Sequence, residues 1–210
     1  MSYSEPQQIQ ETGNYLFVQA SNSLYLYNKN DQSIQTFDKT TGMSDVVVTN
    51  ISWNQKAKRL VVVYDNSNID LIDLQGNVTN VPDLYNKSMT EDKTVNSIVN
   101  NDKYAYIATN FGGIKLNVAS GEVYESYLLG QFIKRFAISG STIYALNTQN
   151  KAISASMSTN LQDKANWEST SSYPNGIFNV DNSAYTNNIE LVQTLNHGGP
   201  KTNQFGFMKF

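Results

Sequence analysis

His197 is the only histidine in the chain, and there is no cysteine. Imidazole base chemistry therefore rests on a single residue, and thiolate nucleophiles, disulfides and Cys-ligated metals are excluded. His197 precedes Gly198-Gly199-Pro200, a turn composition, and no Gly-x-Ser-x-Gly elbow supplies a serine nucleophile. No catalytic residue is assigned, and the chain is read as a protein that is not an enzyme. Oxygen-rich clusters at 28–31, 65–70 and 181–183 could offer calcium ligands. They lack the EF-hand spacing with its glycine and terminal glutamate. Asx side chains capping their own turns account for them, so no metal and no cofactor is expected.

Binding chemistry is better represented. Thirteen tyrosines and two tryptophans, Trp53 and Trp167, could offer stacking faces to sugars while carboxamides satisfy hydroxyls. Tyr25, Tyr27, Tyr104 and Tyr106 alternate along strands, so cross-strand pairing explains them equally well. Propellers commonly present ligands on loops near the axis, which directs attention to the segments 39–45 and 83–94. Lys39, Asp45, Lys87, Lys93 and Arg135 are the candidates for recognising an anionic group, with Trp53 as the aromatic candidate. Net charge is -3 and the longest basic run is Lys134-Arg135, so a nucleic-acid partner or an anionic membrane surface is excluded on charge. No apolar segment is long enough to insert directly into a membrane as a helix. The opening residues contain neither a basic nor an apolar signal region, which decides nothing about location.

The elements that must position these residues are strands. Apolar runs such as Leu60-Val-Val-Val-Tyr64, Tyr104-Ala-Tyr-Ile107 and Ile143-Tyr-Ala-Leu146 are short, β-branched or aromatic, and bounded by Asn, Asp, Gly and Ser. Asn14-Tyr-Leu-Phe-Val, Lys58-Arg-Leu-Val-Val, Lys103-Tyr-Ala-Tyr-Ile and Ser141-Thr-Ile-Tyr-Ala fall into register at separations of 44, 45 and 38 residues. Four strands per unit at that period predict an all-β fold, a β-propeller of four-stranded blades. The expected repeats are 8–38, 46–82, 94–128 and 131–170, followed by an incomplete blade at 176–210. The first repeat shows no clear inner strand, and inner strands are expected to be small and apolar because they crowd the axis. About four blades plus the start of another predict a partial propeller, a segment of a larger parent chain. Homo-oligomerisation, or ring closure by the final strand, remains the alternative.

Phe37-Asp-Lys-Thr-Thr-Gly42-Met-Ser-Asp45 resembles the inter-blade linker of two-component-regulator propeller repeats. The stretch 68–83, with Asn86-Lys-Ser-Met-Thr90 and Lys93-Thr-Val-Asn-Ser-Ile98, is similar to the N-terminal β-propeller of PorZ-like proteins, type IX secretion system components of the Bacteroidetes. The resemblance spans about 15–130. It implies a non-catalytic interaction scaffold outside the cytoplasm, in the periplasm or at the outer-membrane surface. The partners would be envelope proteins or a glycan or lipopolysaccharide ligand. The alternative that it leaves open is a glycan-sensing periplasmic propeller segment of a hybrid two-component histidine kinase.

Overall fold

The apolar runs become the second strands of four antiparallel meanders in a computed structural model, which describes residues 6–21 and 23–179. The first sheet is β1 (Pro6–Thr12), β2 (Tyr15–Ala20), β3 (Ser23–Asn28) and β4 (Ile34–Phe37), in that spatial order. The second is β5 (Val48–Asn54), β6 (Arg59–Tyr64), β7 (Ile69–Ile72) and β8 (Val78–Val81). The third is β9 (Val95–Asn101), β10 (Tyr104–Thr109), β11 (Gly112–Asn117) and β12 (Glu122–Leu128). The fourth is β13 (Ile133–Ser139), β14 (Thr142–Asn147), β15 (Ala152–Ser156) and the short β16 (Glu168–Thr170). One helical turn, α1 (Asp83–Asn86), lies in the second linker. No helix among the described residues is long and apolar enough to cross a membrane.

These sheets are the blades of a β-propeller. β1 packs beside β5, β5 beside β9 and β9 beside β13. The apolar cores therefore lie between the blades. Phe17, Leu24 and Leu26 of the first blade meet Leu60, Val62 and Ile72 of the second. Val61, Val63 and Leu71 on the opposite face of that blade meet Ala105, Ile107 and Ile114 of the third. Both faces of β6 are covered, which is why Leu60-Val-Val-Val-Tyr64 is continuously apolar instead of alternating. Tyr106 and Tyr127 meet Phe136, Ile143 and Ala145 in the third interface. The last outer strand follows the polar segment 157–167, pinned where Leu161 and Trp167 bury themselves and the indole Nε1 donates to the Leu161 carbonyl at 2.9 Å.

Two features of the inner strands depart from expectation. The first blade does have an inner strand, although Pro6-Gln-Gln-Ile-Gln-Glu-Thr has little strand propensity. The inner strands are also not mainly small and apolar. The reason is that the axial edge of an inner strand carries backbone groups with no ladder partner. Carboxamides from the neighbouring blade supply the partners. Gln8 donates to the Thr49 carbonyl at 2.8 Å and accepts from the Ile51 N–H at 3.0 Å. Gln10 accepts from the Trp53 N–H at 3.0 Å, and Asn100 donates to the Trp53 carbonyl at 3.1 Å. Asn96 donates to the Ile133 carbonyl at 2.9 Å.

All four inner strands also carry a β-bulge at their second residue. Gln7, Thr49, Asn96 and Lys134 are each the extra residue against the paired strand. A bulge bends a strand and re-aims its side chains, here at the same level of every blade.

The third and fourth blades approach closely at Gly113 of β11. A Cβ there would lie 2.4 Å from the Phe136 ring and 2.6 Å from the Ile107 carbonyl oxygen, and the backbone oxygen cannot move cheaply. Gly113→Ala should lower stability by about 3 kcal/mol by overpacking. Urea denaturation at matched conditions checks this, with the open turn glycine Gly140→Ala as a comparison, since nothing lies within 4 Å of a Cβ at that position. That comparison keeps only the cost of its positive φ.

Candidate functional site

The four inner strands line an axial cavity of about 700 Å³, a volume typical of small-ligand sites. Its walls carry Gln7, Gln8, Gln10, Asn50, Asn96 and Asn100 among apolar positions such as Ile98 and Phe136. Among the described residues Arg135 is the single cationic residue of the lining, and none of the lining residues is a carboxylate. The guanidinium donates from Nη1 to the Phe178 carbonyl. That bond holds the segment following the fourth blade so that Ile177 and Asn179 join the wall. Tyr173 stands edge-on to Phe178 at 5.1 Å and reaches back to Tyr144 at 6.4 Å.

The linkers between blades form the second candidate region. In the first, Asp38 caps a tight turn over Lys39–Thr41 by accepting from the Thr40 and Thr41 N–H groups. The Thr40 hydroxyl is the main reason that the Asp38 carboxyl lies below its ordinary range, with the two backbone donors adding to it. Met43 then plugs the core between the first two blades, and Ser44 lands on Asp70. Asp70 is fully buried. Its Oδ2 accepts from the Ser44 N–H at 2.8 Å and from Tyr64 Oη at 2.5 Å, and its Oδ1 from Ser44 Oγ at 2.7 Å and Asn80 Nδ2 at 2.9 Å. The Gly-Met-Ser-Asp element is thus a latch joining a linker to the blade that it precedes. In the second linker, Asp92 is carried below its usual range by Thr94, whose side chain contributes most and whose N–H comes next, with Asn110 third.

The sequence candidates fall in four places. Lys39 and Asp45 share the first linker, with Nζ 3.9 Å from the carboxylate, and Asp45 is also bound by Asn66. Lys87 donates to Ser126 Oγ at 3.0 Å. Lys93 donates to the carbonyls of Tyr85 at 2.7 Å and Lys87 at 3.2 Å, fastening α1 and the turn after it. Trp53, at the far end of β5, is buried and stacked on Phe17 at 5.7 Å, so its ring belongs to the core between the first two blades. Arg135 alone of the six lines the cavity. The carboxamide lining was not singled out from the sequence, although Gln8-x-Gln10 and Asn50-x-Ser52 place polar groups at strand spacing on one side.

The oxygen cluster at 28–31 and the 66–68 part of the one at 65–70 are turn caps, whereas Asp70 is the buried latch residue. Asn28 accepts from the Asn30 N–H, Asp31 from that of Ser33 and Asn66 from that of Asn68. The cluster at 181–183, His197 and most of the expected fifth repeat lie outside the described residues. The tyrosines with the largest upward shifts, Tyr64 and Tyr127, are buried between blades. Burial is the main cause in both, and acceptor carboxyls at Asp70 and Glu125 add to it. Tyr106 is pushed up to about 12 by burial first and by the charge of Glu125 second.

Residues 16–168 match the family described as the type IX secretion system PorZ N-terminal β-propeller domain. Among solved structures, the chain is similar to PorZ of Porphyromonas gingivalis, described as an essential bacterial surface component of the type IX secretion system. Identity is 29% and the TM-score 0.75, over 81% of this chain and 23% of that one. It is also similar to the extracellular domain described as that of a one-component system from B. thetaiotaomicron, at 19% identity and a TM-score of 0.61, over 79% of this chain and 22% of that one. AztD of Citrobacter koseri matches at 15% identity with a TM-score of 0.56, over 80% of this chain and 46% of the other. The latter two show likeness of fold alone. This chain spans less than a quarter of the length of the first two structures. No curated protein matches the sequence. The chain belongs to the PorZ N-terminal β-propeller family.

Proposed function

We propose that this PorZ-family propeller segment is a non-catalytic interaction scaffold working outside the cytoplasm, within an assembly of the type IX secretion system. The observation that carries the reading is the family match over 16–168, joined to the description of the P. gingivalis relative as a surface component of that system. The linkers supply a surface suited to the task. Each one crosses from an outer strand to the start of the next inner strand, so that both lie on one rim. The first carries Val46, 63% exposed, next to Asp45 of the Lys39–Asp45 pair, and the second carries Tyr85, 48% exposed, whose carbonyl accepts from Lys93. Exposed apolar groups among charges are the usual make-up of a protein-docking surface. Recognition there breaks no bond. The partners are envelope proteins. The likeness to the one-component-system domain is one of fold and lends no support to a sensor role.

Co-isolation from a solubilised envelope fraction of a bacterium carrying a type IX system tests this. Secretion-system components should accompany the wild-type chain and be lost at least tenfold with Tyr85→Ala and Val46→Ser combined. Retention in that variant, or confinement of the protein to the cytoplasmic fraction, would overturn the reading.

A further inference from the structure

We infer that the axial cavity is a binding site for the carboxyl-terminal end of a polypeptide, with Arg135 anchoring the terminal carboxylate. Three observations on this chain lead there. The first is electrostatic: among the described residues the lining holds one guanidinium and no carboxylate. A cation in a partly enclosed, low-dielectric cavity attracts an anion more strongly than one on an open surface. The second is the unused capacity of that group. Arginine has five N–H donors, and among the described residues the only hydrogen bond of this one is from Nη1 to the Phe178 carbonyl. The remaining donors include the pair that grips a carboxylate through two parallel bonds.

The third observation selects the ligand class. Four carboxamides of the lining reach main-chain groups across a blade boundary, and the guanidinium also takes a main-chain partner. Gln8 bonds the Thr49 carbonyl and the Ile51 N–H, and Gln10 the Trp53 N–H. Asn100 bonds the Trp53 carbonyl and Asn96 that of Ile133, while Arg135 takes the Phe178 carbonyl. Gln8 and Gln10, two apart on β1, meet Ile51 and Trp53, two apart on β5, which is the repeat of an extended chain. A lining that already satisfies extended backbone at that spacing suits a further extended chain. Asn50 of β5 and Ser97 of β9 also line the cavity, and among the described residues their side chains make no hydrogen bond. An acidic sugar would find the guanidinium but would make no use of this spacing.

Fluorescence-detected titration of the full chain with a short neutral peptide, labelled at its N-terminus, tests the site. The same sequence is compared as free acid and as C-terminal amide. The free acid should bind at least tenfold more tightly than the amide, and the gap should shrink as salt is raised. Arg135→Gln should abolish the acid-amide difference, whereas Lys134→Gln, an exposed neighbour, should leave it unchanged. Equal affinity for acid and amide overturns the inference, as does a difference that survives Arg135→Gln. Glucuronate binding as tightly as the peptide acid also overturns it. If Arg135→Gln does not fold by circular dichroism, the acid-amide comparison and its salt dependence on the unaltered protein still decide. This site lies on the axis and the rim variants leave it intact, so its failure and that of the scaffold reading are separate results.

Discussion

Replacing Asp70 with alanine should destabilise the protein by roughly 3–5 kcal/mol, among the largest effects of any single substitution in the chain. The residue is fully buried, and its two oxygens take four donors from three places in the sequence. Truncation leaves the Ser44 N–H and the Tyr64 hydroxyl facing an empty volume, each a buried polar group without its partner. Asp70→Asn keeps the volume and is still costly. An amide nitrogen at the Oδ2 position would meet the Ser44 N–H, which cannot accept. At the Oδ1 position it would meet Asn80 Nδ2. Turning the Asn80 amide to present its oxygen gives up that residue's bonds to Asn68 Oδ1 and the Ile69 carbonyl, both at 3.0 Å. Tyr64→Phe removes one donor from a site with three others, and should cost about 1 kcal/mol. Combining Tyr64→Phe with Asp70→Ala should cost less than the sum of the two, because one orphaned group disappears with its partner. Urea denaturation of the four proteins gives the cycle. A loss below 1 kcal/mol for Asp70→Ala would mean that the linker is held elsewhere. Since Ser44 precedes β5, the same variant should expose the linker to proteolysis before the blades unfold.

The difference between what could and could not be read from the sequence follows from how far each interaction reaches. β6 was legible because burial of both faces turns Leu60-Val-Val-Val-Tyr64 into a continuous apolar run, and a run is a local property. The outer strands Ile34–Phe37 and Val78–Val81 were legible because a turn signal immediately precedes each of them. β1 was not legible. Its glutamines are poor strand formers in isolation and are stabilised by the axial edge of a strand some 40 residues away, as in the Gln8 to Ile51 contact with its separation of 43. β16 is three residues long and follows a polar segment whose anchors, Leu161 and Trp167, acquire meaning only against Phe136 and Tyr127. The linker motif at 42–45 was recognisable as a linker, while its partner Asp70 looked like part of an acidic turn cluster. The same blindness to distance applies to the site. Arg135 is one basic residue in a pair until the fold turns it, and not Lys134, towards the axis.

Alkali should unfold this protein steeply, and the cause is the set of tyrosines between the blades. Tyr64, Tyr106 and Tyr127 all have folded-state values above the ordinary 10, Tyr106 at about 12 and the other two higher. Burial disfavours the phenolate in each, and the hydroxyls of Tyr64 and Tyr127 donate to carboxyls that a phenolate would repel. Because the folded values are raised, the native state retains these protons at a pH where the unfolded chain has released them. Their stabilising contribution is complete below pH 10 and is lost as the pH rises above it. Each proton is worth about 1.4 kcal/mol per pH unit, so three of them give a slope of roughly 4 kcal/mol per unit between pH 10 and 12. That is comparable with the whole stability of an ordinary domain, so sheet structure should collapse within this window. Phenolate absorbance should rise in the same narrow step as the circular dichroism falls. Urea midpoints measured at half-unit intervals should reveal the slope, and Tyr127→Phe should reduce it by about a third, since one of the three protons is gone. An unchanged slope in Tyr127→Phe, or tyrosine ionisation spread smoothly around pH 10 with the sheet intact, would show that these hydroxyls are in contact with water. Water would then reach between the third and fourth blades, where Tyr106, Tyr127 and Phe136 pack together.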